Sequence, residues 1–389
     1  MRVRVVTYSA MPRGGAIHAR RLAEELAERG HDVELWALTL EGAGIEAGPS
    51  VATHQVATAW VSGEQPAARV ARCADVLADA LRSAPPADIN HAEDMIAARA
   101  LLALRADGII PHVIRTVHHT EAFEDTSLDD CQRASIQDVD RCIAVSSVWA
   151  DRLAHEFGVQ ALVVPNGVDA ARFALPGVGR DVAGTHMGWG DRPVVLAVGG
   201  VQPRKGSRML LEAFARARAR LPEGALLVIA GGDGIYRTDA HERAWRDDAE
   251  RLGLRVHEGA DVAGDAHVAR IGVVGDDDMP MLYRAADVLA FPSTREGFGL
   301  VVLEAAAAGL PVVVSDLPVF AEFMQDGRDC LMVPVGAAEP WADALVRAMN
   351  DAGLRAAMIA EARDTAARFA WAETAASTEA VYEGFLADA

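Results

Sequence analysis

A chain of 389 residues is too long for one ordinary core and suits two domains of about 100 to 200 residues each. Its net charge of -19 repels nucleic acid and anionic lipid over most of the surface, which excludes general polyanion binding and makes any phosphate site a local exception. No apolar run reaches the roughly 18 residues of a membrane span, so no transmembrane segment is expected.

Residues 3–7 read as a buried parallel strand, and residues 16–29 as an amphipathic helix with Ala19, Leu22, Ala23 and Leu26 on one face. Gly30-His31-Asp32 ends that helix before an apolar strand at 33–38. This is the strand, glycine turn, helix, strand unit of a doubly wound parallel sheet. A helix at 67–83 follows, with Val70, Leu77 and Leu81 as its core-facing stripe. Strands at 109–117, 142–145 and 162–164 continue the first domain. Residues 174–191 hold five glycines and one proline with little apolar periodicity, the composition of a linker.

The alternation then restarts with a strand at 194–198, a helix at 208–220 and a strand at 225–230. Residues 235–269 are polar and read as a surface insertion carrying a helix at 240–252. Strands at 288–291 and 311–314 flank a helix at 300–308, and helices fill the remainder to residue 389. The fold class is α/β: two Rossmann-like doubly wound domains, residues 1–173 and 192–370, joined by the linker 174–191 and expected to face each other across a ligand cleft.

The start, Met1-Arg-Val-Arg-Val-Val-Thr7, is a strand without the apolar core and cleavage site of a signal peptide. Cys73, Cys131, Cys142 and Cys330 are too scattered for a zinc motif or a disulfide framework. A cytoplasmic chain with reduced thiols is expected. The basic residues are nearly all arginine, and Lys205 is the single lysine. Chance could leave one lysine, but an ammonium differs from a guanidinium in shape and hydration, so its position matters.

The most informative loop is Phe291-Pro-Ser-Thr-Arg-Glu296-Gly-Phe-Gly-Leu300, between a strand and a helix. The amides of Gly297, Phe298, Gly299 and Leu300 meet the positive end of that helix, a ready anion site. Glu296 stands just before them. Glu304 lies about one turn into the helix, where a carboxylate can accept two hydrogen bonds from neighbouring hydroxyls, as on a ribose. By periodicity alone, Glu304 also reads as a solvated helix residue and Glu296 as a capping carboxylate.

With the two glutamates eight positions apart and the following Ala308-Gly-Leu-Pro-Val-Val, this string resembles the nucleotide-sugar loop of the family 4 glycosyltransferases, retaining enzymes of GT-B architecture. The resemblance implies that Glu296 faces the donor sugar and phosphates, that residues 297–300 donate backbone amides, and that Glu304 binds the ribose. It extends over almost the whole chain. Gly14-Gly15 with the helix after it looks like the family's N-terminal loop. Thr116-Val-His118-His119 looks like the strand end whose histidine, here His118, contacts the donor sugar. Asp140 to Ser146 and Val164-Pro-Asn166-Gly167-Val-Asp169 also fit.

In the second half, Val198-Gly-Gly200-Val-Gln-Pro-Arg204-Lys205-Gly206 resembles the family's strand-to-helix loop, in which Lys205 would bind the donor pyrophosphate. The family commonly has Arg where this chain has Gly200, and Arg204 is the candidate for that charge. Ala230-Gly231-Gly232-Asp233-Gly234 resembles the glycine loop beneath the nucleotide, and residues 270–274 would lie along the base. Phe369, Trp371 and Tyr382 resemble the last helix, residues 371–389, which would cross back to the first domain.

The expected activity is transfer of a sugar from a nucleoside diphosphate sugar, itself a substrate, to an acceptor hydroxyl. The chain names neither donor nor acceptor; a lipid acceptor would bring peripheral membrane contact. Asp276-Asp277-Asp278 read as first-turn charges of a helix, so no metal and no cofactor are expected. A nucleotide-sugar epimerase of the same architecture is the main alternative. A non-catalytic sensor is opposed by both glutamates and the lysine, and a dinucleotide dehydrogenase by the lack of Gly-x-Gly-x-x-Gly after the first strand.

Overall fold

The computed structural model describes residues 1–11, 14–40, 44–59, 61–232, 239–260, 262 and 264–388. Seven parallel strands make the first sheet: β1 (Arg2–Thr7), β2 (Asp32–Leu40), β3 (Val51–Thr58), β4 (Ile89–Ala92), β5 (Ile114–Val117), β6 (Arg141–Ala144) and β7 (Ala161–Val163), in the order β3-β2-β1-β4-β5-β6-β7. The second sheet is also parallel and built from β8 (Val194–Val198), β9 (Leu226–Ala230), β10 (Val256–Glu258), β11 (Val268–Gly272), β12 (Val288–Phe291), β13 (Val312–Ser315) and β14 (Leu331–Val333), ordered β10-β11-β9-β8-β12-β13-β14.

Helices cover both faces of a parallel sheet, so its strands read as apolar runs. On one face of the first sheet, Leu22 and Leu26 of the helix Gly14–Glu28 pack on Val3, Val5 and Leu35. On the other, Leu77 and Leu81 of the helix Pro66–Leu81 pack near Val6 and Trp36. Each fully buried leucine stabilises by about 1.5 to 3 kcal/mol relative to exposure. Gly30, at φ +91°, ends the first helix in a conformation that suits glycine.

The chain divides into two compact units, Met1–Gly167 with Trp371–Ala389, and Val168–Ala370. The helix Trp371–Asp388 is thus part of the first unit: Ala375, Val381 and Tyr382 enter its core, and Glu379 lies 2.8 Å from His31 Nε2. The glycine-rich stretch 174–191, read from sequence as a linker, carries the helix Arg180–His186 and belongs to the second unit. Arg180 fastens it with two bonds to Asp287, at 2.9 and 2.7 Å.

Other expectations need correction. The strand expected at 109–117 is only Ile114–Val117, because Pro111 has no N–H to give a ladder. Residues 235–269 are no surface insertion: within them β10 and the start of β11 join the sheet, and the helix Asp239–Arg251 buries Trp245 completely. That helix hides one apolar contact line behind a charged outer face. Its lead-in, residues 235–238, lies outside the described residues, as do Asp233 and Gly234. Helices do not fill everything after residue 314, since β14 adds an edge strand. The strands β3 and β4 escaped the sequence reading altogether; β4, Ile-Asn-His-Ala, is fully buried yet half polar.

Strand order reverses direction beside β1 and β4 in the first sheet, and beside β8 and β12 in the second. Diverging loops at such a switch point leave a crevice at the carboxyl ends of the strands. The loops that follow β1, β4, β8 and β12 are therefore where ligand chemistry belongs.

Candidate active site

In the second unit, the loops after β8 and β12 are stitched together by Thr294 N–H donating to Arg204 O at 2.8 Å. The stitching brings three charged groups to one point. Lys205 Nζ lies 2.7 Å and Arg204 Nη1 2.9 Å from the same carboxylate oxygen, Glu296 Oε1. Lys205 Nζ also stands 4.4 Å from the centre of the Phe291 ring, a cation–π contact. Burial pushes the Lys205 ammonium down against the pull of Glu296. Burial pushes Glu296 up, but the charges of Lys205 and Arg204 outweigh it and hold the carboxyl below its ordinary value. The result is a charged, largely buried cluster.

Immediately after Glu296, Gly297, Phe298 and Gly299 are buried, and Gly299 opens the helix Leu300–Ala308 at φ +105°. A side chain there would come within 2.5 Å of Phe320 Cε1, so glycine is required both for its φ and for space. Phe298 anchors the turn by stacking on Phe323 at 5.2 Å. The first-turn amides of a helix have no intrahelical partners and face outward along the axis. One turn on, Glu304 Oε2 accepts a 2.7 Å hydrogen bond from Tyr283. Burial, then the Glu304 charge, pushes the Tyr283 hydroxyl well above its ordinary value, so it stays a donor.

The loop after β8 explains the departure at position 200. Gly200 has φ +71°, and a Cβ there would lie 2.5 Å from Gly232 O. No arginine fits this backbone. Gly200→Arg is therefore expected to destabilise the protein, by about 1 to 3 kcal/mol for the backbone conformation alone, and so to lower the thermal midpoint rather than to improve nucleotide binding. Calorimetry with and without a nucleoside diphosphate checks it; a stabilised variant with tighter binding would contradict the fit. Gly232 itself abuts Val273, whose Cγ2 would be 2.7 Å from an added Cβ.

In the first unit, Gly15 packs against His118, whose Cδ2 would be 3.7 Å from a Cβ at position 15. His118 Nε2 lies 2.9 Å from Glu93 Oε2, and His18 Nδ1 lies 2.9 Å from the same oxygen. His119 instead turns to Glu121 at 3.1 Å and is exposed. Behind this cluster, His91 Nδ1 lies 2.6 Å from the Tyr382 hydroxyl and Nε2 2.8 Å from the Thr116 hydroxyl. Burial lowers His91 to about 4, which keeps it neutral.

The structure thus joins Arg204, Lys205 and Glu296 in one cluster, places Gly297, Phe298, Gly299, Leu300 and Glu304 on the adjoining turn and helix, and sets Gly15 beside His118 in the other unit. The sequence reading missed Tyr283, Glu93 and His18. Asp276 and Asp278 pair with Arg172 and His186, each at 3.1 Å, on a short 3-10 turn. Among the described residues, the group whose donor atoms could hold a cation is His18, Glu93 and His118, all within 4.8 Å.

Two doubly wound units, one with a basic pair beside a helix N-terminus and a carboxylate one turn further on, have the architecture of a GT-B glycosyltransferase. Comparison with known proteins agrees. Residues 12–172 match the family described as Glycosyltransferase Family 4, and residues 192–351 match Glycosyl transferases group 1. The chain is 31% identical to a D-inositol 3-phosphate glycosyltransferase of Actinosynnema mirum, over 95% of this chain and 91% of that one. Its fold is similar to sucrose-phosphate synthase from Thermosynechococcus elongatus, with a TM-score of 0.81 at 21% identity and full coverage of both chains. It is also similar to HepE of Anabaena in complex with UDP and glucose, with a TM-score of 0.77 at 17% identity over 99% and 100% of the two chains. The chain belongs to the family 4 glycosyltransferases. No helix among the described residues is long and apolar enough to cross a membrane.

Proposed function

We propose that the chain transfers a sugar from a nucleoside diphosphate sugar to an acceptor hydroxyl, with retention at the anomeric carbon and with neither metal nor other cofactor. The observation that carries this reading is the convergence of Lys205 and Arg204 beside the amide-rich N-terminus of Leu300–Ala308. As the bond from the anomeric carbon to the phosphate oxygen breaks, its electron pair stays on the diphosphate. Lys205, Arg204 and the helix amides stabilise that growing charge. Glu304 holds the ribose hydroxyls through its carboxylate. The acceptor oxygen bonds to the anomeric carbon on the face the diphosphate leaves, and its proton passes to the departing phosphate oxygen.

The Actinosynnema mirum relative is named for D-inositol 3-phosphate, so inositol phosphates are the acceptors of first choice. All four cysteines are free and buried, which suits a reducing cytoplasm. The test is thermal stabilisation by UDP, GDP, ADP and their sugars, followed by nucleotide release with and without acceptor. One base should stabilise the protein, release should require acceptor, and EDTA should leave it intact. Interconversion of the donor without acceptor would establish an epimerase instead, and loss of activity in EDTA restored by magnesium or manganese would overturn metal independence.

Glu304→Gln should weaken binding of the preferred nucleoside diphosphate by roughly 10- to 150-fold, the loss of a charged hydrogen bond of about 1.5 to 3 kcal/mol. Isothermal titration showing equal affinity would remove Glu304 from the site.

A further inference from the structure

Glu93 follows β4 directly, and its side chain has no solvent exposure. Oε2 takes both histidines at 2.9 Å, while Oε1 is buried with no hydrogen-bond partner. Burial pushes this carboxyl up, but the neighbouring histidines outweigh burial and hold it well below the ordinary carboxylate range. An ionised carboxylate only accepts, so each nitrogen that touches it must carry the hydrogen. His18 donates through Nδ1 and His118 through Nε2. Burial pushes His118 below its ordinary value, and in the neutral ring the remaining nitrogen, Nδ1, carries a lone pair.

The ring is also fixed in space. Gly15 lies along its Cδ2 edge, and the His18 ring meets it edge-on at 4.8 Å. His18 is braced in turn by Trp371 at 5.6 Å. The His118 side chain keeps 16% exposure.

We propose that Glu93 is a positioning residue that sets the hydrogen-bonding direction of His118, so that the site takes a sugar hydroxyl as donor to His118 Nδ1 and rejects a deoxy or carboxylate group in its place. The proposal rests on the reading of His118 as facing the donor sugar. A hydroxyl can donate into the Nδ1 lone pair. A carboxylate would set its own lone pairs against it, and a deoxy carbon would leave a largely buried acceptor unpaired.

Two variants separate this role from packing. Glu93→Leu keeps the volume and removes the acceptor; a buried carboxylate that serves only to fill space is replaced by an apolar side chain with little loss. Glu93→Gln keeps an oxygen that can accept both bonds without the charge, and it preserves the test should the leucine variant fail to fold. Nitrogen-15 NMR of the ligand-free full chain should show His118 with its hydrogen on Nε2 in the parent and in Glu93→Gln, and a tautomer mixture in Glu93→Leu. With the identified donor and its monodeoxy series, the parent should prefer the hydroxyl at one sugar position by roughly 10- to 100-fold in kcat/KM. That preference should persist in Glu93→Gln and fall to within about threefold of unity in Glu93→Leu, as expected once the paired acceptor is no longer fixed. An Nδ1–H tautomer in the parent, an unchanged preference in Glu93→Leu, or its loss in Glu93→Gln would overturn the proposal. A parent with the Nε2–H tautomer that binds no nucleotide sugar would overturn the functional reading instead.

Discussion

Replacing Lys205 by Met is expected to lower turnover about 100- to 1000-fold while the protein stays folded. The ammonium meets charge that grows on the departing diphosphate, an interaction stronger in the transition state than in the ground state, so kcat should fall more than binding. Folding should survive because Arg204 remains 2.9 Å from Glu296 and leaves no orphaned carboxylate. Lys205→Arg should rescue only partly. The lysine stem lies against Gly199 and its ammonium over Phe291, a slot shaped for a compact cation rather than a planar fork. Steady-state kinetics with the identified donor decide the matter; retention of more than about a tenth of parental turnover, far above the expected loss, would transfer the role to Arg204.

Glu296→Ala should act on stability as well as on rate. It leaves Lys205 and Arg204 side by side without their counter-charge, and the side chains of Lys205 and Glu296 are only 13% and 10% exposed. Breaking a buried pair on one side destabilises by about 3 to 5 kcal/mol, equivalent to a drop on the order of 6 to 20 °C in the melting of a unit this size. A nucleoside diphosphate should recover more of that loss in the variant than it adds to the parent, because it returns the missing negative charge. Calorimetry with and without the nucleotide measures both terms. An unchanged melting temperature would show that the cluster is already solvated and that Glu296 does not hold it.

Much of the second unit was legible because its chemistry sits on local, apolar elements. The strand Val288–Phe291 and the helix Leu300–Ala308 were read at their true bounds, since an unbroken apolar run, a glycine turn and an alanine-rich helix follow one another within a few dozen residues. The solitary lysine drew attention to the position that proves to touch Glu296. What the sequence could not show was pairing over distance. Asn90 and His91 make β4 look like a loop, and only folding reveals that Arg4 donates to Asn90 at 3.1 Å and that the Tyr382 hydroxyl pairs with His91 at 2.6 Å. Once β4 is missed, Glu93 at its end has no context, and neither does His18. Tyr283 was hidden for the same reason: its partner, Glu304, lies 21 residues on, upon a neighbouring helix. The polar appearance of residues 239–251 made their helix read as part of a surface insertion and concealed that its one buried aromatic, Trp245, ties it to the core.

The return of Trp371–Asp388 to the first unit has a consequence for synthesis on the ribosome. Trp371 braces His18 and Tyr382 holds His91, yet both are translated only after all of Val168–Ala370. At about 5 to 20 residues per second, the first unit emerges and waits roughly 10 to 40 seconds with that part of its core open. The second unit has no such debt and can close as soon as it leaves the tunnel. The half that is made first is therefore the half that finishes last, and its exposed apolar groove, lined by Ala16, Ala19 and Ala23, is the surface a chaperone would meet on the nascent chain.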